Sequence, residues 1–176
     1  MRLLETPLAG VWILEPTRLV DERGHFARTF CAQTFVAHGL NPAIDQCSVS
    51  WNVRAGTLRG LHYQAAPAAE DKLVRVTRGG VYDVALDLRP GSRTHGCWFG
   101  VELDADGGRA LYVPQGCAHG FITLCDATEV SYQISVPYRP ELARGVRWND
   151  PAFAIRWPRE PAVISGRDRD YPDYRP

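Results

Sequence analysis

A fixed cation and a titratable imidazole stand three residues apart in TLRGLHYQ, Thr57 to Gln64, among apolar and aromatic neighbours. Histidine is the side chain suited to moving protons near neutral pH, and arginine to holding an anion. Strand alternation places Leu58, Gly60, His62 and Gln64 on one face and Arg59 on the other. A bulge at Gly60 would bring Arg59 and His62 to one site; without it Arg59 works from the opposite side of the strand. In TEVSYQIS, Tyr132 shares a face with Val130 and Ile134, the face expected to point inward. An inward phenol needs a partner and can donate a proton. Lys72, Arg59, Arg23 and Arg75 add cations that could bind an anion. The bland alternative for His62 is a buried histidine satisfied by a neighbour.

Metal chemistry has weaker support. The histidines are His25, His38, His62, His95 and His119, and no two form the His-x-His pair common in metal-binding β-barrels. A His62–His119 pair would lack an obvious third ligand. The site is therefore expected to work without metal.

The elements that must position these residues are strands. In VYDVALDLRPG, Tyr82, Val84, Leu86 and Leu88 alternate with Val81, Asp83, Ala85, Asp87 and Arg89, and Pro90-Gly91 ends the run. KLVRVTRGG before it ends in Gly79-Gly80, so the two segments read as a hairpin. CWFGVEL, ALYVPQG, AHGFITL and TEVSYQIS continue the series, with DADGG and PQG as turns. Helical signals are confined to residues 33–39, stopped by Gly39, and a turn near Pro140. GVWIL at 10–14 suits either an internal strand or one that pairs with a neighbouring chain. Short strands at regular spacing predict an all-β sandwich or barrel, with functional side chains inside or at the mouth. The polar, Pro-rich segment from about 159 to 176 reads as a tail or a flap over that mouth.

Composition narrows the function classes. The 176 residues suit one domain, and 20 Lys+Arg balance 20 Asp+Glu. A net charge of zero argues against broad nucleic-acid or membrane-surface binding. No run approaches the length of a membrane span, and Glu5, Pro7 and Glu15 interrupt any signal-like start. Five cysteines without Cys-x-x-Cys spacing read as free thiols of a reducing cytoplasm.

Several blocks together resemble the dTDP-4-dehydrorhamnose 3,5-epimerase family: RGHFART at 23–29, GTLRGLHYQ at 56–64, KLVRVTRGGVYDVALDLRPGS at 72–92, YVPQGCAHGF at 112–121, VRWNDPAFAIRWP at 146–158 and ISGRDRDYP at 164–172. The resemblance implies a cupin-type jelly-roll barrel, a double-stranded β-helix with a few short helices. It also implies a cofactor-free, metal-free homodimer that epimerises nucleotide-linked 4-keto-6-deoxy sugars. In such chemistry a C4 ketone acidifies the protons on C3 and C5, so one base, one acid and a cation for the enolate suffice. By motif, His62 is implied as the base, Asp168 as the carboxylate orienting it, Tyr132 as the acid and Lys72 as the enolate stabiliser. Arg59 and Arg23 match phosphate-binding arginines. Gln46, Phe26 and Tyr138 match positions near nucleotide or sugar, Tyr138 by stacking; His119 and Asp83 match further polar positions. Without the resemblance Asp168 reads as a solvated surface charge.

Arg28 stands where many family members carry an acid, and Ser48 where many carry Asn. Both departures touch the binding region and leave the base, the sugar and the choice of C3, C5 or both open. The rival readings are a sugar-nucleotide ketoisomerase, a non-catalytic sugar-binding cupin and a metal-dependent dioxygenase.

Overall fold

The computed structural model describes residues 1–175. Short strands alternate across the chain as β1 (Arg2–Glu5), β2 (Trp12–Glu15), β3 (Arg18–Asp21), β4 (Gly24–Ala27), β5 (Gln46–Asn52), β6 (Thr57–Gln64) and β7 (Lys72–Arg78). They continue as β8 (Gly80–Asp87), β9 (Trp98–Asp104), β10 (Ala110–Val113), β11 (Cys117–Thr123), β12 (Thr128–Ile134), β13 (Ala143–Gly145) and β14 (Val163–Ile164). The helices are α1 (Ala32–Ala37) and α2 (Gly166–Arg169), with a 3-10 turn at Pro140–Leu142. No helix among the described residues is long and apolar enough to cross a membrane.

Two sheets face one another as a cupin-type jelly roll. One runs β1-β2-β10-β7-β12-β5; the other runs β13-β6-β11-β8-β9, with β14 parallel to β6. Their inner faces meet in a core of Val74, Val76, Val81, Ala85, Leu111, Val113, Phe121 and Val130. The GVWIL segment supplies an internal strand: β2 lies between β1 and β10.

The hairpin expected from residues 72–88 does not form. β7 pairs with β10 and β12, whereas β8 pairs with β11 and β9. Only Gly79 separates β7 from β8, too little for a two-residue hairpin turn. With φ at +76°, it carries the chain across the core, and Val76 and Val81 then face each other from opposite sheets. A Cβ there would lie 2.4 Å from Thr128 Oγ1, so glycine is the residue that fits.

The alternation within β8 is real, but both faces are buried. Val81, Asp83, Ala85 and Asp87 point into the barrel side. Val84, Leu86 and Leu88 pack outward against Val146, Phe153 and the half-buried Ile155 and Trp157. Residues 146–157 thus coat the outer face of the second sheet. The same chain then returns through β14 and α2 to β6, which brings a distant carboxylate to the site.

Asp87 closes the end of β8. Its Oδ1 accepts from Arg89 N and Nε at 3.0 and 2.9 Å; its Oδ2 accepts from Arg89 Nη2, Ser92 and Thr94 at 2.7, 2.6 and 2.6 Å. Burial pushes this carboxyl up, but the Arg89, Ser92 and Thr94 bonds outweigh it and hold it far below the usual range. A depressed folded value means that its stabilisation is present above the ordinary carboxylate range and fades as pH falls through it. Asp87→Asn is expected to destabilise by about 3 kcal/mol near pH 7. The gap from the native chain should narrow progressively below about pH 4, as read by urea unfolding across pH.

Candidate active site

The open mouth of the barrel holds a cleft of about 670 Å³, a size suited to a small-molecule ligand. Arg59 and His62 both line it. The register of β6 against β11 explains how: Arg59 pairs with Phe121 and His62 with His119, so β6 spends three residues where β11 spends two. This is the bulge at Gly60. Gly60 sits at φ +123°, and a Cβ would lie 2.5 Å from Gly120 Cα. The close approach and the positive φ both demand glycine. The extra residue turns Leu61 outward into the second core and swings Arg59 to His62's side.

The bulge also frees a donor. Gly60 N donates to Asp168 Oδ2 at 3.2 Å, and Asp168 Oδ1 stands 2.7 Å from His62 Nε2. Ser165 caps α2 by accepting from Asp168 N at 3.1 Å, fixing the carboxylate on the first turn. Burial pushes the Asp168 carboxyl up, but the His62 bond and charge, with Gly60 N–H and Ser165, hold it below its ordinary value. It therefore stays ionised well into the acid range. A carboxylate accepts only, so His62 Nε2 carries the hydrogen and Nδ1 keeps its lone pair for the cleft. The His62 side chain is 38% exposed, against 6% for Asp168.

Tyr132 faces this pair from the opposite sheet, on β12. Its hydroxyl and Ser50 Oγ lie 3.4 Å apart, and its ring meets His119 edge-on. Burial pushes the phenol strongly up, the Asp83 charge adds to this, and Ser50 and Arg59 only partly oppose it. The phenol is thus protonated near neutrality and able to donate. Below it His119 Nε2 and Asp83 Oδ1 form a buried pair at 2.6 Å.

Lys72 Nζ donates to His62 O at 3.2 Å and pairs with Glu70 Oε1 at 2.8 Å. Arg59 is held by neutral acceptors, with Nε donating to Asn52 Oδ1 at 2.8 Å and Nη2 to Trp51 O at 3.3 Å. Arg144 likewise donates to the carbonyls of Glu141 and Ala143, and Arg167 to the Tyr171 hydroxyl. Among the described residues these three cleft arginines have no carboxylate partner. Tyr138 stands 55% exposed at the rim, its backbone N–H bonded to Gln46 Oε1 at 2.7 Å.

Seven expected site residues, Arg59, His62, Lys72, His119, Tyr132, Tyr138 and Asp168, therefore share one cleft, with Asp83 beneath and Gln46 supporting the rim. Three do not join it. Arg23 and Phe26 sit on the exposed β3–β4 hairpin, Arg23 paired with Asp21 at 2.5 Å. Arg75 lies on the outer face of β7, bonded to the carbonyls of Thr29 and Gly108; as the register of β7 dictates, it is no cleft cation. Glu70, Ser50, Arg144 and Arg167 were not foreseen from sequence. Only Ser50 had a signal, its period-two relation to Ser48 on β5; the others lie on irregular segments, a short edge strand or a one-turn helix. No cluster of three His, Cys, Asp or Glu among the described residues is arranged to hold a metal ion.

Fold and site define a class: a cupin-type barrel whose cleft sets a carboxylate-bound histidine opposite a half-buried phenol. The sequence profile described as dTDP-4-dehydrorhamnose 3,5-epimerase matches residues 5–175, and the chain belongs to that isomerase family. A Methanothermobacter thermautotrophicus relative, dTDP-4-dehydrorhamnose 3,5-epimerase, is 42% identical over 99% of this chain and 95% of its own length. The crystal structure of the Bacillus anthracis enzyme of that name, with TDP and PPi bound, superposes with a TM-score of 0.94 at 39% identity, covering 98% of this chain and 99% of that one. A Streptomyces niveus relative, dTDP-4-dehydrorhamnose 3-epimerase, is 39% identical over 97% of this chain and 82% of its own length.

Proposed function

We propose that the chain inverts C3, C5 or both of a dTDP-linked 4-keto-6-deoxyhexose by proton removal and return through an enolate. The observation that carries the reading is the placement of His62, backed by Asp168, and Tyr132 on opposite sheets of one cleft. Inversion needs a base on one face of the sugar ring and an acid on the other. His62 Nδ1 takes the proton next to the ketone, and Asp168 stabilises the imidazolium that results. Lys72 faces the developing enolate oxygen with an ammonium donor. Tyr132, protonated, returns a proton from the opposite side. Neither a metal nor a redox cofactor has a task in this sequence.

The three arginines without carboxylate partners supply the positive field a diphosphate requires, Arg59 through its planar fork. Tyr138 at the rim suits stacking on the nucleobase. Arg23 and Phe26 reach a site only if a second copy supplies them. The exposed Leu19, Val20 and Phe26 of the hairpin, with Val49 and Trp51 on β5 and Val53 just after it, fit such a homodimer. Unpaired cysteines suit a reducing cytoplasm.

Incubation with dTDP-4-keto-6-deoxyglucose in heavy water tests the reading. Deuterium at C3 and C5 by NMR means double epimerisation, and at one centre a mono-epimerase; no exchange at either sinks the proposal. Tyr132→Phe should retain exchange at a substantial fraction of the native rate while inversion falls about a hundredfold. Equal loss of both would remove Tyr132 from the acid role.

A further inference from the structure

Lys72 is the only lysine in a chain whose Lys and Arg together number 20. Every other fixed side-chain cation is a guanidinium. The one ammonium sits in the cleft, its side chain 10% exposed, beside a carboxylate from Glu70 that is 11% exposed. An ammonium is a compact charge with three donors and no preferred plane, so its direction is set by its acceptors. Two of them are visible: Glu70 Oε1 at 2.8 Å and His62 O at 3.2 Å.

We propose that Glu70 is a positioning residue for the proton-transfer reaction: it clamps the Lys72 ammonium against the backbone of His62 and aims the remaining N–H at the substrate's enolate oxygen. This rests on the function proposed above. Two fixed acceptors on a three-donor group leave one direction for the third. The carboxylate also balances a cation that would otherwise face an imidazolium forming on His62. Three carboxylates of the cleft thus each have a bonded partner, in His62–Asp168, His119–Asp83 and Lys72–Glu70, and none of them is spent on the cleft arginines. A base and an ammonium can thus work side by side while the arginines hold an anion.

The single lysine makes the test direct. Protein made with lysine carrying nitrogen-15 at Nζ has one side-chain ammonium resonance. In Glu70→Gln the ammonium protons should exchange with water at least about tenfold faster than in the native chain, because a charge-assisted bond is lost. Unchanged exchange overturns the proposal, and this readout holds whether or not the protein turns over the keto sugar. With dTDP-4-keto-6-deoxyglucose, Glu70→Gln should lower kcat about 30-fold and leave KM within about twofold, the pattern of an interaction made in the transition state. Added formate should recover at least about fivefold in Glu70→Ala, and Glu70→Asp should fall between native and Gln. A rise in KM matching the loss in kcat/KM, or no recovery by formate, would mean that Glu70 binds substrate or only shapes the loop.

Discussion

Replacing His62 with alanine is expected to lower solvent-deuterium exchange into the keto sugar by about a thousandfold or more while the fold persists. The size follows from the role: a positioned base contributes about two to four powers of ten, and the other histidine of the cleft, His119, is buried against Asp83 whereas His62 is partly exposed to it. His62 is partly exposed and is not a member of the three apolar cores, so its removal leaves the packing of the barrel in place. Asp168→Asn probes the same unit from behind. An amide can offer an N–H as readily as an oxygen, so it no longer dictates which imidazole nitrogen carries the hydrogen, and it cannot balance the imidazolium. Exchange should drop about a hundredfold or more, with KM little changed. Because Asp168 is held below the ordinary carboxylate range, the native enzyme should keep this pairing as pH falls through about 4 and lose it only on further acidification. Exchange within threefold of native in His62→Ala would assign the base elsewhere.

The second large effect is predicted at a residue with no side chain. Gly60→Ala should destabilise the protein by about 3 kcal/mol or more and reduce exchange by about a hundredfold. The new Cβ would fall 2.5 Å from Gly120 Cα and 2.8 Å from the His119 carbonyl oxygen, both backbone atoms of the paired strand. Relief requires β6 and β11 to separate at the point where His62 is held, and a displacement near 1 Å suffices for a loss of that order. It also weakens the Gly60 N–H bond to Asp168. Gly24 is a matched control. It has φ +124°, the same unfavourable backbone, but nothing within 4 Å of its Cβ position. Gly24→Ala should cost only the conformational part, about 1–2 kcal/mol. Thermal unfolding of both variants separates the two contributions. Equal destabilisation would show that the close approach contributes nothing.

Much of this protein is local in origin. Alternating side chains made the strands legible, because a residue's face follows from its parity alone. Gly39 and Pro140 marked the short helical turns for equally local reasons. The blocks around His62, Lys72, His119 and Asp168 carried the family resemblance. The conflict between Arg59 and His62 was also visible, since three residues on an ideal strand put two side chains on opposite faces.

Tertiary structure decided what depends on a second segment. Whether Gly60 bulges is a matter of how β6 registers with β11, sixty residues away in the chain. Gly79-Gly80 looked like a hairpin turn, yet the strands on either side gained more by facing each other across a core than by pairing edge to edge. Arg75 shared the charge of the cleft cations but not their face of β7. Asp168 became the partner of His62 only because residues 146–157 coat the outer sheet and return the chain to β6. Glu70 meets Lys72 from outside the strand, where no periodicity applies. Sequence determined which groups could do chemistry and which way each faced along its own strand. Register, sheet crossing and chain return decided which of them meet, because those arise from packing between segments whose separation in sequence carries no geometric information.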